Sequence, residues 1–388
     1  MIHLNRTVTV NTFDVQGTVA RGQDRPEFLA VACLAADLDR PIDGRDITRQ
    51  LLGSLPEAIG WRVLDRAVTM GLLEWDPAAR VATLSESGRF MLEQGQVLVP
   101  EEGVWRFYFV DDPLIDNPVI HVERIETPNA KEERDKVYKR DRSNPPAQGA
   151  PIPRLITDSI GSASLSLVTQ NGFELRELGK EGAMGSTSKL QLSLEWERDK
   201  LPVVSLKGSL GKPDEQSAMN VEQRLPMPNE LASMIYEQCW IWLVSNATGI
   251  SERELADRVS HAKRPVVPTA FANQAVESLS SQRTNLAVPS GKLGILGIFD
   301  KTTLRDLELV PRTPDDAQQW AEWLQWESLD RYVVPQSIVD LSATVDQRFP
   351  FHVVQLPDHS KLTRRALSQP RDKTARFLLT PYDLGLWS

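Results

Sequence analysis

Residues 53–71 read GSLPEAIGWRVLDRAVTMG, and this stretch predicts one helix with a signal at each end. Ser54 followed three residues later by Glu57 has the pattern of an N-terminal capping box. Pro56 suits the first helical turn because its fixed φ angle is already helical, and Gly71 suits the C-terminal end. One side of the predicted helix is apolar, with Ile59, Val63, Ala67 and Met70 at helical spacing.

The segments on both sides of this helix complete a small unit. Before it, apolar residues at helical spacing predict a helix that begins at Pro26, and residues 43–52 predict a short second helix that a glycine ends. After it, residues 72–75 and 81–84 predict two short strands joined as a hairpin by a loop that contains Asp-Pro. A further helix is predicted from Ser85.

This order of three helices, a hairpin and a fourth helix resembles the winged helix-turn-helix superfamily over residues 25–100. The similarity is carried by Met70-Gly71-Leu72-Leu73, which leads into the hairpin, and by Leu84-Ser85-Glu86-Ser87-Gly88-Arg89 after it. The resemblance implies that the third helix enters the major groove of DNA and that the hairpin is the wing. It covers about 70 residues and indicates a fold rather than a specific family.

The resemblance also implies DNA contacts by arginine. Arg62 and Arg66 lie on the polar side of the third helix, where they would meet base edges or phosphates, and Arg80 in the wing would contact an adjacent phosphate. Residues 1–100 nevertheless contain ten arginines against thirteen acids. The same surface therefore also suits a protein partner, with Trp61 as an exposed anchor.

The next part of the chain predicts mainly β structure. Residues 1–24 predict one or two strands, and residues 104–215 predict an antiparallel β domain. Within it, residues 131–153 are charged and then Pro-rich, which predicts a flexible excursion. Asn171-Gly172 predicts a two-residue hairpin turn between the strands that flank it.

Residues 228–388 predict a mainly helical C-terminal domain, which gives the chain an α+β fold class. It contains a second helix-turn-helix-like unit at 251–279, and after residue 351 the pattern predicts short strands and a basic loop. A predicted helix over residues 314–329 has a tryptophan at every third position: Trp320, Trp323 and Trp326. Core packing is typical of such a stripe, but its first two members are also candidates for partner contact.

The most basic segment of the chain is residues 359–376, with six Lys or Arg residues and one acid. Such a segment can hold a nucleic-acid backbone, or it can be solvated charge that balances an acidic protein. Its candidate DNA contacts are Lys361, Arg364, Arg365, Arg371, Lys373 and Arg376.

Composition limits the function classes. A formal net charge of −9 argues against a protein that coats nucleic acid, because that affinity comes from Lys and Arg on phosphates. Since no apolar run approaches the roughly 20 residues of a membrane span and the start lacks an apolar signal region, we expect a cytoplasmic protein. Cys33 and Cys239 are the only cysteines. Two cysteines exclude a cysteine-based zinc site, and we expect no disulfide framework.

No catalytic or cofactor motif is complete. His359-Ser360-Lys361 matches the start of the His-x-Lys-x4-Asp element of phospholipase D-like nucleases, but Ala366 occupies the acid position and no second copy exists. Carboxylates near strands lack the lysine partner of a metal nuclease, and the histidines lack metal-ligand spacing. Glycine-rich segments lack the spacing of ATP or NAD sites. We therefore expect no catalytic residue, no metal and no cofactor.

The leading hypothesis is a non-enzymatic, DNA-associated or scaffold subunit of a bacterial multi-protein system for antiviral defence, repair or regulation. It depends on the predicted winged helix and on the incomplete catalytic motifs. Two alternatives remain. One is a nuclease or phosphodiesterase with a degenerate phospholipase D-like element at His359 and Lys361. The other is a one-component transcription regulator, for which a discrete ligand pocket in the central β domain and a symmetric dimer would be the signs.

Overall fold

The computed structural model describes residues 1–125, 149–211, 219–232 and 234–385. Most of the excursion predicted at 131–153 lies outside the described residues. The chain divides into two compact units, which are described separately. The sheet unit is Arg6–Ser193 with Val203–Ala232, and the C-terminal unit is Met1–Asn5, Leu194–Pro202 and Ser233–Ser388. Helices accompany an antiparallel sheet, which confirms the predicted α+β class.

The chain opens with one long strand, β1, Ile2–Gln23. It forms because apolar side chains recur near every second position and are buried, among them Leu4, Val8, Val10, Phe13, Val15 and Val19. Its antiparallel partner is residues 97–109, in register from Asn11 opposite Phe109 to Gln23 opposite Val97. Of the one or two strands predicted for residues 1–24, the structure has one continuous strand.

Four helices and a hairpin follow β1: α1 Pro26–Leu38, α2 Gly44–Ile47 continuing as a π-helical turn Thr48–Leu52, α3 Glu57–Thr69, β2 Leu73–Asp76, β3 Val81–Leu84 and α4 Glu86–Gln94. An isolated bridge joins Ile42 to Ala82 in β3. The capping box predicted at Ser54 is wrong, because Pro56 is the N-cap residue of α3 and no side chain caps it. The fixed φ of proline sets this helix start without a capping hydrogen bond.

The helices α1, α3 and α4 share a core with the sheet. Their buried residues form one cluster with Ala20 of β1 and with Val97 and Leu98 of the strand paired to it. Gly60 of α3 lies so close to α2 that an added Cβ would be 2.1 Å from the carbonyl oxygen of Gly44. The helices are therefore packed at backbone contact and attached to the sheet by apolar side chains.

The remaining elements of the sheet unit are β4 Val97–Phe109, β5 Val119–Arg124, β6 Ala150–Pro151, α5 Arg154–Thr157, β7 Ala163–Leu165, β8 Gly172–Leu178, β9 Glu181–Trp196, β10 Val203–Leu210, β11 Met219–Arg224 and α6 Asn229–Ala232; β9 continues into the C-terminal unit. In the described part of the chain the main sheet has nine strands, with β11-β10-β9-β1-β4-β5 as its principal order.

The hairpin predicted at Asn171-Gly172 is wrong in detail. β7 ends at Leu165, which pairs with Gly172, so the connection is a longer loop over residues 166–171. The Ser166 hydroxyl accepts hydrogen bonds from the backbone N–H groups of Val168 and Thr169, which turns the chain before the Asn-Gly pair is reached. A side-chain turn of this kind competes with the strand ladder.

The C-terminal unit holds α7 Tyr236–Thr248, α8 Glu252–Ala262, β12 Val267–Thr269, α9 Val276–Ser281, β13 Arg283–Val288, β14 Gly291–Lys292, β15 Ile298–Phe299, β16 Thr302–Pro311, α10 Pro314–Glu327, α11 Pro335–Asp346, α12 His359–Ser368 and α13 Lys373–Asp383, with 3₁₀ turns at Phe271–Asn273 and Gly294–Leu296. The strands and loop predicted after residue 351 are wrong, because α12 and α13 occupy most of that segment. They form since Leu362, Ala366, Ala375 and Leu378 share a buried cluster with α10 and α11.

Within the described residues, no helix is both long enough and apolar enough to cross a membrane.

Candidate nucleic-acid interface

Helix α3 has one solvent-facing side, which we call the α3 face. It consists of exposed residues at the spacing of one helical stripe: Ala58, Arg62, Asp65, Arg66 and Thr69. The opposite side packs inward through Gly60, Leu64 and Ala67. Neither Arg62 nor Arg66 forms an ion pair with any described residue. Both guanidinium groups therefore point to solvent with their donors free, on a face that carries one acid.

The acids around the α3 face are partly neutralised. Glu57 accepts an ion pair from Arg45 at 3.4 Å, between two exposed side chains. Asp76 accepts hydrogen bonds from the backbone N–H groups of Ala78 (2.8 Å) and Ala79 (3.3 Å), so its carboxylate shapes the wing loop. Asp65 and Glu74 are the acids that remain exposed here without a hydrogen-bonded partner among the described residues.

The β2–β3 hairpin folds against α3 through two tryptophans. The rings of Trp61 and Trp75 meet edge to face with centroids 6.4 Å apart, and the Arg80 guanidinium lies 5.8 Å from the Trp61 ring centre. Trp61 is half-buried, since an added Cβ on Gly44 would be 2.5 Å from its ring. Trp61, predicted as an exposed anchor, is therefore less accessible than Trp75, which is 39% exposed.

The C-terminal end of α3 is held by a strand of the sheet. Arg176 on β8 donates hydrogen bonds to the carbonyl oxygens of Thr69 (3.1 Å) and Met70 (2.6 Å). Helix ends leave such carbonyls unpaired, and a cation there also interacts favourably with the helix dipole. Glu174 lies 3.4 Å from the same guanidinium and is largely buried. We call this contact the Arg176 clamp; it fixes the direction in which the α3 face points.

The basic segment 359–376 is a second positively charged surface, in the C-terminal unit. Five of its six basic residues are exposed and form no ion pair within the described part of the chain: Lys361, Arg364, Arg371, Lys373 and Arg376. The sixth, Arg365, stacks over the ring of buried Trp326 at 4.3 Å. The indole N–H of Trp326 donates to Asp372 at 3.1 Å. Arg365 is therefore a packing residue, and the five others are the candidate contacts.

The tryptophans of α10 point in different directions. Trp320 is fully buried, and its indole N–H donates to the carbonyl oxygen of Leu279 at 3.0 Å. Trp323 is half-buried against Phe271, with ring centres 6.2 Å apart. The tryptophan stripe therefore contributes mainly to packing, and Trp323 is the member that keeps part of its surface exposed.

The phospholipase D-like element lies at the start of α12. His359 and Lys361 are two residues apart on a helix, so their side chains project to different sides; Lys361 is exposed, whereas His359 is half-buried. Asp358 accepts a hydrogen bond from the backbone N–H of Lys361 and acts as the helix cap. Among the described residues, no group of three His, Cys, Asp or Glu side chains is arranged to hold a metal ion.

One buried histidine has an unusual environment. His121 on β5 is 4% exposed, and its Nδ1 atom lies 2.7 Å from the Ser166 hydroxyl. Burial, with a smaller contribution from the positive charge of Arg21, lowers the pKa of His121 to about 4. The imidazole is therefore neutral at physiological pH and serves packing and hydrogen bonding.

Comparisons with known proteins add no relative. No family model matches the chain, and no curated protein or solved structure matches it either. Function is therefore inferred from the residues and contacts of this chain alone.

Proposed function

We propose that the protein is a non-enzymatic subunit that contacts DNA, with residues 25–100 acting as a winged helix. One observation carries the proposal: Arg62 and Arg66 are exposed, unpaired and one helical turn apart on the α3 face. A guanidinium fork with free donors suits phosphate oxygens and the acceptors of guanine. Arg80 in the hairpin lies over the ring of Trp61, which precedes Arg62 in α3.

The local charge balance supports DNA contact more than the composition of residues 1–100 suggests. Of the nearby acids, Glu57 is paired with Arg45 and Asp76 is engaged with backbone N–H groups. What remains exposed is Arg62, Arg66 and Arg80 against the carboxylates of Asp65, Glu74 and Asp76, while Arg45 and Glu57 offset each other. Since these charges balance, we expect affinity that depends on a few direct arginine contacts and that falls as the salt concentration rises.

A mobility-shift titration of the full chain on a duplex of about 30 base pairs, at about 150 mM salt, tests this proposal. We expect Arg62→Glu with Arg66→Glu to lower affinity about tenfold or more and to reduce the slope of log affinity against log salt by about 2. The matched control is Arg154→Glu with Lys180→Glu, which makes the same charge change at exposed, unpaired positions of the sheet unit. DNA contact by α3 would be refuted if the Arg154/Lys180 control lost as much affinity as the Arg62/Arg66 variant. It would also be refuted if wild type did not bind at micromolar concentration.

The basic helices α12 and α13 are tested separately. Arg364→Glu with Arg371→Glu changes two exposed residues and leaves the Arg365–Trp326 stack in place. Loss of DNA binding in this variant alone would move the contact from α3 to the C-terminal unit. A similar loss of affinity in the Arg62/Arg66 variant and in the Arg364/Arg371 variant would indicate two contact surfaces.

Contact with a protein is a second candidate for the same face, because apolar side chains lie exposed beside it. Leu55 is 46% exposed, Leu51 is 40% exposed and Trp75 is 39% exposed. Clusters of aromatic and arginine side chains are typical of binding hot spots. A photo-crosslinking amino acid in place of Trp75 distinguishes the candidates in cells: a nucleic-acid adduct supports DNA contact, whereas a single discrete protein adduct supports a protein partner.

A further inference from the structure

The sheet unit contains a pocket with a volume of about 330 Å³. It lies between β5, the end of β7 with the loop that follows it, and the end of β11, and Phe90 of α4 forms part of its wall. Sites for small molecules have volumes of roughly 300–1,000 Å³ and mainly apolar walls. This pocket matches that description at the small end of the range.

The walls of the pocket are mostly aliphatic. Ile120, Leu167 and Leu225 are typical of them, and together with Phe90 they offer a surface that favours an apolar body. Transfer of such a body from water into the pocket is favourable in free energy without any hydrogen bond to the wall. The dominant part of the occupant is therefore apolar.

Most polar groups of the wall are already engaged. The side-chain amide of Asn117 donates to the Ser164 hydroxyl, and its oxygen accepts from the backbone N–H of Val119 at 3.0 Å. The Gln170 amide donates to the carbonyl oxygen of Ser166 at 3.4 Å. These bonds shape the pocket and leave few neutral polar groups to hold a ligand.

Arg224 is different, because it lines the pocket and forms no ion pair with any described residue. A free guanidinium at the edge of an apolar pocket matches a carboxylate, which it can bind through two parallel hydrogen bonds. Asp116 also lines the pocket and carries the opposite charge. The preference between an anionic and a cationic head group is therefore the decisive measurement.

We propose that this pocket binds a small molecule with an apolar body and one carboxylate, held by Arg224. The apolar body contacts Phe90 of α4 and the aliphatic side chains of the wall. Binding does not require DNA, so the proposal is independent of the function proposed for α3.

Calorimetric titration of the full chain without DNA tests the proposal with three matched probes: decanoate and decylammonium below their micelle concentrations, and decan-1-ol below its solubility limit. We expect one saturable decanoate site per chain, with decanoate bound more tightly than the other two probes. Arg224→Gln should weaken decanoate about tenfold and leave decan-1-ol unchanged, because only the charge contact is lost. Arg154→Gln, an exposed and unpaired arginine of the same unit, should change neither.

A pocket-filling variant checks the location. Leu167 is half-buried at the wall, so the larger side chain in Leu167→Trp should occupy the cavity and remove binding of decanoate and decan-1-ol, with circular dichroism confirming the fold. Tighter binding of decylammonium than of decanoate would overturn the anionic assignment and favour Asp116 as the main contact. Absence of a saturable site in the wild-type chain, or decanoate binding that survives both Arg224→Gln and Leu167→Trp, would overturn the site itself.

Discussion

Replacement of Arg176 by methionine tests whether the Arg176 clamp holds α3 in place. Methionine retains most of the aliphatic volume but removes the two hydrogen bonds to the last carbonyl oxygens of α3, at 3.1 and 2.6 Å. Hydrogen bonds to charged groups contribute ~1.5–3 kcal/mol when fully buried. The Arg176 side chain is 20% exposed, so water can replace part of each bond, and a loss of about 1 kcal/mol per bond is expected.

The total, about 2 kcal/mol, should appear in the free energy of unfolding of the sheet unit measured by urea denaturation. For a unit of roughly 150–250 residues this corresponds to a fall of about 4–8 °C in melting temperature. Glu174 would lose its cation while remaining 11% exposed, so Arg176→Met combined with Glu174→Gln should recover part of the stability. Hydrogen exchange should increase at the last turn of α3 before it changes elsewhere.

The control is Arg154→Met, which changes an exposed arginine without a side-chain partner and should shift stability by no more than about 0.5 kcal/mol. If Arg176→Met unfolds like the control, the contact with the Thr69 and Met70 carbonyls does not stabilise α3. A gain of stability in Glu174→Gln alone would show that the buried carboxylate, rather than the helix end, dominates this site.

Three further outcomes follow from individual contacts. Asparagine tolerates the left-handed φ of 57° at position 80, so Arg80→Asn should keep the free energy of unfolding within about 0.5 kcal/mol of wild type. The variant should bind DNA more weakly, with the slope of log affinity against log salt reduced by about 1. An unchanged slope would remove Arg80 from the interface. Gly60→Ala should lower the free energy of unfolding by about 1–3 kcal/mol, because the new Cβ would lie 2.1 Å from the carbonyl oxygen of Gly44. A variant that is more stable than wild type in urea denaturation would contradict this packing. As pH falls from 6.5 to 4.5, wild type should lose about 2–3 kcal/mol relative to His121→Gln, because only the unfolded histidine takes up a proton in that window; parallel urea curves at both pH values would contradict the low pKa.

The elements with local signals were predictable from sequence. The apolar stripe and proline of α3 predict its position to within a few residues, because helix periodicity is written in adjacent turns. α12 and α13 were missed, since each has few buried apolar residues among many charges and is helical because of the cluster it joins. The Asn171-Gly172 turn failed for a similar reason: the hydroxyl of Ser166 forms a competing turn.

The candidate site likewise combines features that the sequence predicts with contacts that only the structure shows. The exposure of Arg62 and Arg66 follows from the helical wheel of α3. The pairing of Arg45 with Glu57 joins two different helices, and the Arg176 clamp joins residues more than 100 positions apart. Contacts of that kind have no pattern in a single sequence, so their effect on the charge and direction of the α3 face required the structure.

The core shared by Ala20, Val97 and Leu98 with the N-terminal helices bears on how this segment could be moved or exchanged. The proposed winged helix is therefore not separable from the sheet. Here a truncation to residues 25–95 would expose the underside of α1 and α4 and release the end of α3 from β8. We expect the fragment to be a poorly folded, aggregation-prone peptide, so moving this segment into another protein would need boundaries that include β1, β4 and β8.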